Sequence, residues 1–119
     1  MRSSLAASLA LVAVQAHAQD CQPIRFAPGD NGALIEGVLP PKDPFVAVEP
    51  SCFSLDVRAG QRVIVAVEGD DNAVATISGA GDARQAFDFL APSNFLEILL
   101  FQLFPSPSEA PYALTVQVD

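Results

Sequence analysis

The 119-residue sequence predicts an all-β protein: an antiparallel β-sandwich of about eight short strands with Greek-key or jelly-roll-like connections and one disulfide. Three observations carry this. From Gln19 onward, apolar and polar residues alternate in short runs, the period of a strand with one buried face. Gly, Pro, Asp and Asn separate those runs at short intervals. No stretch keeps the spacing of a long amphipathic helix.

Residues 1–18 read as a signal peptide, with Arg2 as the positive start, Leu5 to Val14 as the apolar stretch and Ala16-His17-Ala18 as the small-x-small site. Cleavage is expected after Ala18, leaving residues 19–119 as a single domain. An apolar run of about ten residues is too short to span a membrane core about 30 Å thick. Asp20 before Cys21 is not the small residue that lipid attachment needs, and no second apolar stretch follows. The expected product is soluble, exported to the periplasm or the medium, and without a membrane span. In an oxidising compartment Cys21 and Cys52, the only two cysteines, predict one disulfide.

The first strand is expected over Pro23 to Ala27 and the second over Ala33 to Leu39, with the turn Pro28-Gly29-Asp30-Asn31-Gly32 between them. Cys52 to Arg58 alternates cleanly, Phe53, Leu55 and Val57 on one face and Ser54, Asp56 and Arg58 on the other. Arg62 to Glu68 does the same with Val63, Val65 and Val67. Ala59-Gly60-Gln61 between them supplies a glycine able to take positive φ, so the two segments read as a hairpin. Val74 to Ser78, Arg84 to Phe89, Phe95 to Leu103 and Tyr112 to Val118 complete the set. Pro40 to Pro50 and Pro105 to Pro111 are proline-rich and read as loops.

Phe95 to Phe104 is apolar on both alternating faces, broken only by Glu97 and Gln102. It reads as a central strand covered on both sides. A surface strand whose outer face binds a partner or a second copy is the sharper alternative, and an amphipathic helix the third.

The chemical inventory is sparse. His17, the single histidine, leaves with the signal peptide, so the mature chain lacks an imidazole for a Ser-His-Asp or Cys-His relay or an ordinary zinc site. Lys42, the single lysine, lies in a proline loop unsuited to desolvating an amine. Glu36, Glu49, Asp56, Glu68, Asp88 and Glu97 mostly alternate with apolar residues as the wet face of strands, and the chain has no tryptophan for sugar stacking. The reading is therefore a non-enzyme without a cofactor. Asp70, Asp71 and Asn72 are weak calcium candidates, but a turn using Asp and Asn to bond its own backbone explains them better.

Charge disfavours nucleic acid. The formal net charge is −8, about −9 once Arg2 is removed, and Arg25, Lys42, Arg58, Arg62 and Arg84 are scattered rather than clustered.

The order of segments resembles a family of small exported bacterial sandwiches, the g-type lysozyme inhibitors, and more broadly the bacterial pre-peptidase C-terminal domain group. The resemblance runs through Ile24-Arg25-Phe26-Ala27-Pro28-Gly29, Glu36-Gly37, Phe53 through Val63, and Tyr112-Ala113-Leu114-Thr115-Val116-Gln117-Val118. It implies a Ser-Gly-x-Tyr loop that enters the lysozyme cleft. The corresponding stretch here carries Ser93, then Asn94, which tolerates αL geometry, then Phe95, with Leu96 in the tyrosine position and Glu97 following.

The leading expectation is thus an exported module that binds another protein, a basic lysozyme being one candidate drawn by the chain's negative charge. Its contact residues would be Ser93, Asn94, Phe95, Leu96 and Glu97. The alternative is an accessory or structural module of the pre-peptidase type, forming a homodimer through the Phe95 to Phe104 strand, broken by Leu96→Asp or Leu100→Asp. A calcium-dependent carbohydrate or surface binder is a third reading.

Overall fold

A computed structural model describes residues 21–119; the signal-peptide reading of 1–18 lies outside the described residues. Among the described residues nine strands form two sheets: β1 Gln22–Pro23, β2 Gly32–Leu39, β3 Ser51–Asp56, β4 Arg62–Gly69, β5 Ala73–Ile77, β6 Gly81–Arg84, β7 Ala86–Leu90, β8 Phe95–Gln102 and β9 Ala110–Val118. One sheet runs β2-β9-β4-β7 and the other β1-β3-β8-β5-β6. All pairings are antiparallel except the two-residue pairing of β1 with β3. The predicted all-β class holds, and Cys21 is bonded to Cys52 across a separation of 31 residues.

Alternation located the core correctly. Val63, Val65 and Val67 of β4 and Leu114, Val116 and Val118 of β9 line one inner face, and Phe53, Leu55, Leu96, Ile98, Leu100, Ala75 and Ile77 line the other; all are buried. Each large side chain so placed contributes about 1.5–3 kcal/mol through removal of apolar surface from water.

Three expectations are corrected. The segments flanking Ala59-Gly60-Gln61 do not form a hairpin: β3 and β4 lie in different sheets. Gly60 does take positive φ, at 88°. The chain arches across the sandwich there, so that the Phe53 and Leu55 row faces the inner layer instead of lying beside the valine row of β4. The expected strand Arg84 to Phe89 divides at Gln85, because β6 belongs to the five-stranded sheet and β7 to the four-stranded one. Gln85 makes the corner: its backbone carbonyl accepts from Val67 N–H, and its side-chain Nε2 lies 2.9 to 3.3 Å from the carbonyls of Ala73, Asp70 and Asp71. Finally, of the first expected strand, Pro23 to Ala27, only Pro23 lies in a strand, the two-residue Gln22–Pro23, followed by one bond from Ile24 N–H to Ser54 carbonyl.

β8 is central within its sheet, flanked by β3 and β5, but not covered on both faces. Leu96, Ile98, Leu100 and Gln102 are buried, whereas Phe95 and Glu97 are exposed and Leu99 and Phe101 half-buried. The outer face of β8 is the open one. Leu96→Asp and Leu100→Asp would therefore strike the core and report nothing about a dimer.

Candidate functional site

The loop between β7 and β8 sits at the end of the sandwich where the β3–β4 arch also turns, and the two are bonded to each other. Gly60 N–H donates to Ala91 carbonyl at 2.8 Å, Ala91 N–H to Gln61 carbonyl at 2.8 Å, and Val57 N–H to Asn94 carbonyl at 3.0 Å. The Asn94 side chain completes the clamp, its Oδ1 accepting from Ala59 N–H at 2.9 Å. These bonds satisfy backbone groups that a hairpin would have paired internally. Asn94 thus holds the loop from beneath.

The residues around that clamp differ sharply in what they present. Ser93 is exposed, and its hydroxyl donates to Phe95 carbonyl at 2.9 Å, which orients the turn into β8. Phe95 is 51% exposed. Leu96, one residue on, points to the other face of the sheet and is 2% exposed. Of the five residues expected at the contact, Leu96 is a core residue, Asn94 a clamp, and Ser93, Phe95 and Glu97 form the accessible set. The aromatic ring at this end belongs to Phe95, adjacent to the position where the family resemblance places tyrosine.

Carboxylates flank the ring. Asp56 is the cross-strand partner of Phe95, and Glu97 is the partner of Ser54 two rungs along, on the same face. Both are exposed, and among the described residues the ion pairs are those of Arg62 with Asp88 and Asp119, so neither Asp56 nor Glu97 is neutralised by a basic side chain. Asp56 was not singled out for binding in the sequence, because strand pairing brings it beside Phe95 from 39 positions away. An open groove runs from Ser93 and Phe95 toward Ser78 and Gly79 of the β5–β6 turn. A Cβ added at Gly79 would meet Pro92 Cγ at 3.0 Å, so the two turns approach closely there.

Cys21, Cys52 and Glu97 also cluster, with Glu97 Oε2 3.6 Å from Cys21 Sγ. Both sulfurs are bonded to each other, which removes the thiolates that a metal would require.

The calcium candidates lie at the opposite end of β8. Asp70 Oδ1 accepts from Asn72 N–H at 2.8 Å, the Asx turn expected of such a sequence. Asn72 Nδ2 donates to Gln102 Oε1 and to Phe104 carbonyl, and its Oδ1 accepts from Phe104 N–H. The Asn72 amide is thereby engaged in holding β8 to the β4–β5 turn. Lys42 is likewise engaged, donating from Nζ to the carbonyls of Gln102 and Leu103.

What the sequence did not reveal is the apolar character of that second end. Phe45, Val46, Val48, Leu103 and Phe104 are all exposed there. The run Phe45-Val46-Ala47-Val48 inside a proline-rich loop was the available signal.

No protein-family model matches the chain, and no curated protein matches it by sequence. Among solved structures it is similar to the Aeromonas hydrophila PliG, a periplasmic inhibitor of g-type lysozyme, at 22% identity and a TM-score of 0.67, over 83% of this chain and 96% of that one. It is similar to the Salmonella Typhimurium PliG at 17% identity and a TM-score of 0.62, over 85% and 99% of the two chains. A mutant of the Escherichia coli PliG gives 15% identity and a TM-score of 0.59, over 82% and 96%. At these identities the likeness establishes one thing, that the chain has the fold of the periplasmic g-type lysozyme inhibitors.

Proposed function

We propose that this chain is an exported, non-enzymatic protein-binding module that inhibits a g-type lysozyme, acting in the periplasm after cleavage following Ala18. The observation that carries the reading is the half-exposed Phe95 ring on a loop clamped from below by Asn94 and flanked by unneutralised Asp56 and Glu97. In this reading Phe95 is the apolar anchor, the Ser93 hydroxyl offers a hydrogen-bonding group to the polar walls of the cleft, and the carboxylates steer a basic target. Inhibition is by occupation: a preorganised loop fills the space of the substrate, and the clamp lowers the ordering cost of binding. The fold shared with inhibitors of this enzyme class supports the choice of target.

The test is lysis of a peptidoglycan substrate by c-type, g-type and i-type lysozymes, with and without the purified mature protein, at low and moderate salt. Inhibition of the g-type enzyme that weakens with salt is expected. Absence of inhibition of every class at micromolar protein would sink the reading. Export is checked separately, by mass spectrometry of the periplasmic product, which should begin at Gln19.

A further inference from the structure

The end of the sandwich remote from Phe95 carries a knob and a hole. Two proline-rich loops are stapled together there: Lys42 N–H donates to Ser106 carbonyl at 2.8 Å and Ser106 N–H to Lys42 carbonyl at 2.9 Å. Beneath them Gln102, 4% exposed, donates from Nε2 to the carbonyls of Pro40 and Ser108. On this base Phe45 stands 93% exposed. Its own N–H donates to Asp43 Oδ1 at 2.8 Å, an Asx turn that aims the residue away from the body. Along the same loop and the adjoining end of β8, Leu39, Pro40, Val48, Pro50, Leu100 and Phe101 form the apolar walls of a cavity of about 210 Å³, whose lining Lys42, Glu49 and Gln102 complete. An enclosed apolar cavity of about 150 Å³ accepts benzene, so the volume here suffices for a phenyl ring.

We infer that this end is a self-association surface, on which two copies pair about a two-fold axis and each inserts Phe45 into the other's cavity. Knob and hole on one patch of one chain are what an isologous contact requires. Phe45, Val46, Val48, Leu103 and Phe104 together expose at most about 500 Å² per copy, so full pairing would remove up to about 1,000 Å², the lower limit for a specific interface. A lipid surface is the poorer occupant, because Asp43 stands beside the knob, Glu49 lines the hole and the chain is strongly acidic, which anionic headgroups repel. The surface lies at the opposite end of β8 from Phe95, so the inference stands apart from lysozyme binding. The flanking carboxylates also repel one another across the axis, and salt should tighten the dimer.

Sedimentation velocity of the mature chain across the micromolar range, at low and high salt, tests this. A monomer–dimer equilibrium that tightens a few-fold with salt is expected. Phe45→Asp should weaken it at least tenfold, and Val48→Trp, which fills the hole, should do the same; both sites are exposed, and unchanged far-ultraviolet dichroism confirms folding. Lysozyme inhibition should survive both substitutions. A strict monomer at every concentration and salt, a dimer that persists in Phe45→Asp, or a monomer that instead sediments with neutral or anionic vesicles would overturn the inference.

Discussion

Neighbouring residues at the proposed contact do different work, and substitution separates them. Phe95 is half-exposed and lies outside the buried core, so Phe95→Ala should raise the inhibitory concentration at least tenfold, about 1.4 kcal/mol or more. Its melting temperature should stay nearly unchanged. Asn94→Ala removes the acceptor for Ala59 N–H and should cost about 1 kcal/mol of stability, a fall of about 4–8 °C for a domain of this size. Paired thermal melts and lysis assays would show the two profiles; equal loss of stability in both variants would remove the distinction between anchor and clamp. Charge at this scale is modest. The hydrogen bond from Arg62, opposed by some desolvation and aided by the guanidinium charge, holds the exposed Asp88 carboxyl below the usual range. Its folded pKa is depressed, so its contribution is present above the unfolded carboxylate value near 3.9 and is lost as pH falls through the folded value. Melts of Asp88→Asn and the parent should therefore differ by a small constant amount above about pH 5 and converge in stronger acid. A gap that widens on acidification would contradict the assignment of the shift to Arg62.

At the scale of elements, what alternation could and could not convey is plain. A period of two reports which side chains share a face, and it placed Val63, Val65, Val67, Phe53 and Leu55 in the core correctly. It does not report which sheet a strand joins. A tight turn at Gly60 serves an arch as well as a hairpin, and the difference rests on whether residues 91–94 arrive to take its backbone bonds, which is a long-range matter. The division of Arg84 to Phe89 has the same origin, since Gln85 turns the corner by bonding carbonyls of residues 70 to 73. The contact loop was legible as a position through Ser93, Phe95 and Glu97; the Asp56 beside it was not, for the same reason. Closing β4 is a different kind of constraint. Gly69 has φ of 113°, and a Cβ there would meet Pro111 carbonyl oxygen at 2.5 Å. Both penalties fall on backbone that cannot yield easily, so Gly69→Ala should cost about 1–3 kcal/mol. Gly60→Ala shares the positive φ but has open space around it and should cost less. Denaturant titration of the two decides this, and a smaller loss at Gly69 than at Gly60 would show that β9 shifts to make room.

For the whole molecule, the sandwich keeps two chemically different ends apart along the length of β8, with an anchored aromatic among carboxylates at one and an apolar proline-loop platform at the other. The disulfide belongs to neither end. Cys21 is tied to Cys52 on β3, opposite Leu99 in the middle of the sheet, and the bond fastens a β1 that otherwise contributes only a two-residue pairing. Its effect should therefore be on the stability of the sandwich as a unit. Closing a loop across a separation of 31 residues reduces the entropy of the unfolded chain by an amount worth about 3–4 kcal/mol. That is a large fraction of the stability available to a domain of this size. The double variant Cys21→Ser, Cys52→Ser should lower the denaturation midpoint with little change in its slope. Below the variant's melting transition, lysozyme inhibition should persist, because Ser93 and Phe95 are held by the β3–β4 arch and not by the bridge. Loss of inhibition in a fully folded double variant would mean that the bridge acts on the contact directly, through Glu97, whose carboxylate lies 3.6 Å from Cys21 Sγ.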